Sequence, residues 1–165
     1  MKTLKENKIL IALSLACVIS LTVMIVLLCT PTESSPPTFT PPPFDTSAQI
    51  GEPSVPEEYG YNLLYKDGMS FKVGLCGKVL VRENTADVYF TSPADNTPWL
   101  KLRVFDAKGN IIGETGLIRP GEYIKSIEFT KTPQSYDGLI FKIMSYEPDT
   151  YNSLGAIQVT PKIVK

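Results

Sequence analysis

Trp99–Phe105 reads WLKLRVF, is followed by Asp106-Ala107-Lys108-Gly109-Asn110, and is answered by Ile111–Glu114 (IIGE). Leu100, Leu102 and Val104 alternate with Lys101 and Arg103, the period of two that sends successive side chains to opposite faces of a strand. Gly109 is free to take positive φ in the intervening turn. The stretch therefore predicts a β-hairpin with an apolar inner face and Lys101 and Arg103 on the outer one.

The same pattern recurs on both sides. Met69, Phe71, Val73 and Leu75 alternate with Ser70, Lys72 and Gly74, as in a half-buried strand. Val79–Val81 and Asp87–Thr91 are further short strands, separated by Asn84-Thr85, and Ser92–Pro98 is a proline-marked loop. Glu122–Thr130 alternates with an irregularity in its middle, and Thr115–Gly121 is the loop that leads into it. Asp137-Gly138 is a turn, Leu139–Tyr146 a strand, and Glu147–Gly155 a long polar loop. Ala156–Thr160 and Ile163-Val164 close the chain as edge segments, because Pro161 has no ladder donor. About seven short strands without an amphipathic helix predict an all-β domain over 57–165, an immunoglobulin-like antiparallel β-sandwich, with a small barrel as the alternative. The Cys…Trp…Cys arrangement of true immunoglobulin domains is missing, so an apolar core must hold the fold unaided.

Ahead of that domain the composition changes twice. Ile9–Leu28 (ILIALSLACVISLTVMIVLL) carries no charge. Twenty helical residues span roughly 30 Å, the hydrocarbon thickness of a bilayer. The run exceeds the usual core of a cleavable signal, and Val26-Leu27-Leu28 offers no small-residue cleavage site, so an uncleaved anchor is expected. A lipoprotein acylated at Cys17 or Cys29 is the competing reading, weakened at Cys29 by the bulky Leu28. Lys2, Lys5 and Lys8 precede the run and no Lys or Arg follows before Lys66. The positive-inside bias then leaves residues 1–8 in the cytoplasm and the C-terminal domain outside it. Residues 29–56 read as an extended stalk, since Thr30–Pro56 holds eight of the 14 prolines. Phe39 and Phe44 within it read as incidental aromatics of a stiff spacer rather than recognition anchors.

Composition removes several chemistries. Sixteen Lys+Arg face 17 Asp+Glu, which provides no basic excess for nucleic acid. Histidine is absent, and with it the commonest general base and transition-metal ligand. Of Cys17, Cys29 and Cys76 only the last lies in the domain, where Leu75-Cys76-Gly77 reads as a small buried residue rather than an activated thiol. The carboxylate pairs Glu57/Glu58 and Glu147/Asp149 sit in polar loops, and Lys125 and Ser126 fall on opposite faces of a strand. A phosphate loop and zinc spacing are both missing, and a Ca²⁺ site at Asp95/Asn96 or Glu147–Asn152 would be unpatterned. The expectation is a non-enzymatic chain without cofactor or metal.

Trp99–Phe105, Asp106…Gly109-Asn110, Gly116-Leu117-Ile118-Arg119-Pro120-Gly121 and Tyr151-Asn152-Ser153-Leu154-Gly155 together resemble a pattern in small, membrane-tethered, largely uncharacterised surface proteins of Gram-positive bacteria. The resemblance implies fold and location and no chemistry. The lack of any Asn-x-Ser/Thr acceptor agrees with a bacterial source.

Partner-binding candidates are the aromatics and charges placed where loops meet: Trp99, Arg119, Tyr146, Glu147, Asp149 and Tyr151. Trp99 is also the natural plug of a sandwich core, and Thr115–Gly121 a turn that needs its glycines to switch sheets. The expected function is a membrane-anchored interaction module, an accessory part of a surface or transport assembly; the alternative is a carbohydrate- or cell-wall-binding module. Its expected partners are membrane lipid through Ile9–Leu28 and either a protein or wall glycan. If the anchor reading holds, the full-length chain will resist alkaline extraction from membranes, and a Leu15→Lys, Val18→Lys double variant will be released into the supernatant, each lysine at the helix centre costing about 3 kcal/mol.

Overall fold

A computed structural model describes residues 2–29, 39–64, 71–133 and 135–165. Residues 30–38, about the first third of the expected stalk, and 65–70, with Met69 and Ser70 of the first expected strand, lie outside the described residues. The chain divides into two compact units, Met1–Thr40 and Pro41–Lys165.

In the first unit α1 covers Lys2–Cys29. Its hydroxyls are satisfied within the helix: Ser14 donates to the Ile11 carbonyl at 2.9 Å, Ser20 to Cys17 at 3.1 Å and Thr22 to Ile19 at 2.8 Å. Among the described residues no helix is long and apolar enough to cross a membrane. Side chains of α1 are described at Ile11 and 13–26, a part of the apolar run 9–28.

The second unit contains β1 (Gln49–Ile50), a 3₁₀ turn (Glu57–Tyr59), β2 (Tyr61–Leu64), β3 (Val73–Cys76), β4 (Lys78–Arg82), β5 (Thr85–Thr91), β6 (Trp99–Phe105), β7 (Ile111–Glu114), β8 (Glu122–Glu128), β9 (Ile140–Tyr146), β10 (Ser153–Val159) and β11 (Lys162–Val164). Two sheets form: β10-β9-β6-β7, and β1-β8-β5-β3-β2 with β4 and β11 branching from β5. The chain is all-β here, as expected, but its eleven described strands exceed the seven read from sequence. The additional ones are two to four residues long, too short to show an alternation. The pairing is antiparallel except for β11, which runs parallel to β4.

The β6–β9 ladder organises the second sheet. Seven consecutive pairs run from Trp99↔Tyr146 to Phe105↔Ile140 without a register shift. This parity sends Leu100, Leu102, Val104, Phe141 and Ile143 inward, all fully buried against Val73, Val79, Val88 and Phe90. Burial of each large side chain contributes about 1.5–3 kcal/mol. In β3 the expected half-exposed pattern is not found: all four residues are buried, because the Tyr61 ring lies over Gly74. The irregularity expected within 122–130 is compensated on the neighbouring strand. Asp87 pairs Ser126 and Phe90 pairs Ile124, three steps on β5 against two on β8, with Tyr89 at φ 46. The extra residue lets both Ile124 and Ile127, an odd spacing, face the core.

The domain begins at Pro41, earlier than the Glu57 read from composition. Prolines lack donors but keep carbonyls, and the Pro43 carbonyl accepts from Leu117 N at 2.9 Å. Asp45 N returns a bond to the Leu117 carbonyl at 2.9 Å, and Asp45 Oδ2 accepts from Gly116 N at 2.7 Å. Gln49–Ile50 then adds to the β8 edge, tied by Tyr123 Oη donating to Gln49 Oε1 at 2.6 Å. Gly116 permits this approach: a Cβ there would stand 2.5 Å from Asp45 N and 2.6 Å from its Cα. Gly116→Ala is expected to destabilise the domain by about 1–3 kcal/mol through this overpacking and to expose 41–50 to protease; denaturant unfolding followed by Trp99 fluorescence, with limited proteolysis, measures both.

Candidate functional site

Because Trp99 pairs Tyr146 in the unbroken ladder, their side chains stand together on the outward face at one end of the β10-β9-β6-β7 sheet. The chain leaves β9 here and returns as β10, so the loop expected over Glu147–Gly155 is in fact the six residues 147–152. It is a closed turn. Glu147 N donates to the Asn152 carbonyl at 2.8 Å, and Tyr151 N donates to the Glu147 carbonyl at 3.0 Å. Glu147 Oε2 accepts from Thr150 Oγ1 at 2.6 Å and from Asn152 Nδ2 at 3.3 Å. Asp149 and Tyr151 both take positive φ, 65° and 59°. Non-glycine residues in this region carry a backbone cost, here met by the turn's own hydrogen bonds. The reversal lays Tyr151 edge-on to Trp99, ring centroids 5.3 Å apart at 62°.

Phe44 meets the same indole, 4.8 Å away at 75°. Over the Phe44 ring sits the Arg119 guanidinium, its Cζ 3.6 Å from the centroid. Arg119 N in turn donates to Glu122 Oε2 at 2.6 Å. Tyr146 Oη lies 3.6 Å from Met144 Sδ. The result is a row Arg119–Phe44–Trp99–Tyr151, its three rings half-buried and the arginine exposed. Trp99 is thus neither the core plug nor an open platform.

Five of the six candidates therefore gather at this end: Trp99, Tyr146, Tyr151 and Arg119 by contact or pairing, and Glu147 through the turn. Asp149 is exposed at the tip of that turn. Phe44 is the member that sequence reading assigned to the stalk; its only local signal was Asp45 beside it, which fixes the backbone to Gly116. Within the turn the Glu147 carboxylate is engaged by Thr150 and Asn152. Glu57 and Glu58 lie exposed on the 3₁₀ turn, outside this site.

Below the aromatic row the outward face is cationic. Lys101, expected in solvent, is buried, with Nζ 3.1 Å from Glu114 Oε2. Arg103 Nε reaches the same oxygen at 2.9 Å. Burial opposes the charge on Glu114, but the hydrogen bonds from Arg103 and Lys101 prevail and hold its carboxyl below the usual carboxylate range. The register β6–β7 pairs Arg103 with Glu114 directly, which is why this lysine can be withdrawn from water. A separate concavity of about 350 Å³ is lined by Ile50, Pro53, Tyr61, Leu63, Pro93 and Ala94, among others. Ile50 and Leu63 project from it, 90% and 59% exposed.

Other candidates resolve into structural roles. Asn96 binds the Lys72 backbone through both its amide groups, at 2.8 and 2.7 Å, while Asp95 pairs the Lys72 side chain. Among the described residues no group of three or more His, Cys, Asp or Glu is placed to hold a metal. Cys76 is buried, and burial followed by the nearby Asp87 pushes its thiol up to about 12. No family model matches the chain, and no curated protein matches it.

The Thr150 and Asn152 donors hold the Glu147 carboxyl below its ordinary 4.5. A depressed folded pKa means that the turn gains stability from the carboxylate above about pH 4.5 and loses it as the pH falls through the lower folded value. Acidification should therefore weaken Tyr151–Trp99 contact, read as a change in Trp99 fluorescence below pH 4.5, and Glu147→Gln should abolish that pH dependence.

Proposed function

We propose that this chain is a non-enzymatic, membrane-anchored module that binds a protein partner through the Arg119–Phe44–Trp99–Tyr151 end of its second sheet. The observation that carries the reading is the convergence of Trp, Tyr and Arg, the residue types that dominate interface hot spots, from four separate parts of the chain. The rings meet edge to face, whereas a sugar platform presents exposed, coplanar faces; this favours a protein over wall glycan. Exposed Ile50 and Leu63 beside an apolar concavity favour the same class of partner.

Anchorage in this reading rests on the uncharged run Ile9–Leu28 and its flanking lysines, which also place the domain outside the cytoplasm. The fold is read as immunoglobulin-like. The order β7-β6-β9-β10 corresponds to C′-C-F-G, and β4-β5-β8 to A-B-E, with β1 taking the place beside E. That assignment suits a surface-displayed accessory subunit of the tethered Gram-positive kind.

The test is crosslinking of full-length protein in intact source cells, with captured material identified by mass spectrometry. We expect recurrent capture of the same surface or membrane protein, reduced about tenfold or more by Tyr151→Ala and by Arg119→Glu, whose side chains are peripheral enough to spare the core. Captured wall glycan without a consistent protein would overturn the proposal in favour of a glycan-binding module.

A further inference from the structure

The strands of the second sheet, IIGE, WLKLRVF, IFKIMSY and SLGAIQV, hold Lys101, Arg103 and Lys142 but a single acid, Glu114. All four charges stand on the outward face, which is therefore positive on a chain of 16 Lys+Arg and 17 Asp+Glu. Glu114 is already taken by Lys101 and Arg103. Lys142 makes no ion pair among the described residues. The register explains why. Its cross-strand neighbours are Arg103 on β6 and Gln158 on β10, and its neighbours on the same face of β9 are Ile140 and Met144. None of these offers a carboxylate. Like charges directly opposite destabilise an antiparallel pair, yet Arg103 and Lys142 face each other in the ladder that organises the sheet. The like-charged register pair Lys78↔Lys162 in the other sheet differs, because Glu58 lines the same cleft.

We propose that the protein partner sets a carboxylate between Arg103 and Lys142, so that the segment it lays along this sheet is acidic. The inference rests on the reading of the aromatic end as a protein-binding site and names the chemistry of what extends from it. Arg103 reaches Glu114 through Nε, which leaves the terminal nitrogens of its guanidinium for a second carboxylate. Both Arg103 and Lys142 are half-buried, where salt screens a charge less than in open solvent. From Trp99↔Tyr146 to Arg103↔Lys142 the ladder advances four residues, about 13 Å. An extended segment with an acidic residue four positions from the side chain that meets Trp99 spans both places. Two cations beside three rings make no continuous basic stripe of the kind a phosphate polymer follows, which favours an acidic peptide.

The experiment measures binding of dye-labelled decaglutamate to the full chain in uncharged detergent, with dye-labelled decaglutamine as the neutral control. We expect decaglutamate alone to bind, and Lys142→Glu to weaken it about tenfold or more by reversing a charge at the contact. Lys125→Glu makes the same change of net charge at an exposed position of β8, in the other sheet, and should leave affinity within about twofold. Lys142→Glu should also raise the thermal midpoint, because it replaces a like-charged pair by an opposite one, so lost binding is not lost folding.

No preference for decaglutamate over decaglutamine, equal losses from the two substitutions, or a lowered thermal midpoint for Lys142→Glu would each overturn the proposal. Inorganic polyphosphate binding more tightly than decaglutamate, and equally lost with Lys142→Glu, would overturn it in favour of a phosphate polymer. Capture in cells that depends on Tyr151 but not on Lys142 would overturn this inference and leave the aromatic-end reading standing. Lys142-dependent decaglutamate binding without any capture in cells would do the reverse.

Discussion

The continuous antiparallel register between β6 and β9 is the constraint on which the rest of the domain depends. A shift of one residue would turn Leu100, Leu102 and Val104 to solvent and carry Lys101 and Arg103 into the core. With the register fixed, Phe141 and Ile143 meet those leucines inside, and outside Trp99 is brought beside Tyr146. Core and candidate site are therefore two faces of one ladder. Substitutions that loosen the ladder affect both, whereas changes at Tyr151 or Arg119 reach the site from loops and leave the ladder intact.

The second determinant is the return of the proline-rich segment. Residues 43–45 close onto 116–117 through three hydrogen bonds and the absence of a side chain at Gly116. This contact gives Phe44 its place between Arg119 and Trp99. The aromatic row is thus assembled from residues 44, 99, 119 and 151, with the connection from β7 to β8 holding the first strand segment in place. Loop 115–121 does switch sheets, as its glycines suggested, and it also serves as the dock for residues 43–45 of the same domain.

Charge on the outer face follows local rather than net balance. The chain is close to neutral, yet Lys101 and Arg103 share one oxygen of Glu114. Removing Lys101 from water costs several kcal/mol before the carboxylate offsets it, so this triad fixes the β6–β7 register more than it adds net stability.

How much was legible can be judged from particular residues. WLKLRVF declared a strand, its inner face and the following hairpin, because those properties are set by side-chain alternation and a turn glycine within a dozen residues. Leu139, Phe141 and Ile143 did the same. The apolar run 9–28, the proline-rich segment and the absence of histidine were equally plain, since composition is a local property. Phe44 was misplaced, Lys101 was put in solvent, and the start of β10 was read as loop, because each depends on a partner in another segment: Gly116, Glu114 and Met144–Tyr146 respectively. Tyr151 and Trp99 were both singled out, but only the reversal of residues 147–152 put one against the other. Sequence by itself determined the strand periods, the inward residues and the absence of histidine. Tertiary structure alone decided which strands pair and which aromatics meet, because hydrogen-bond register between separate segments leaves no trace in the pattern of either one.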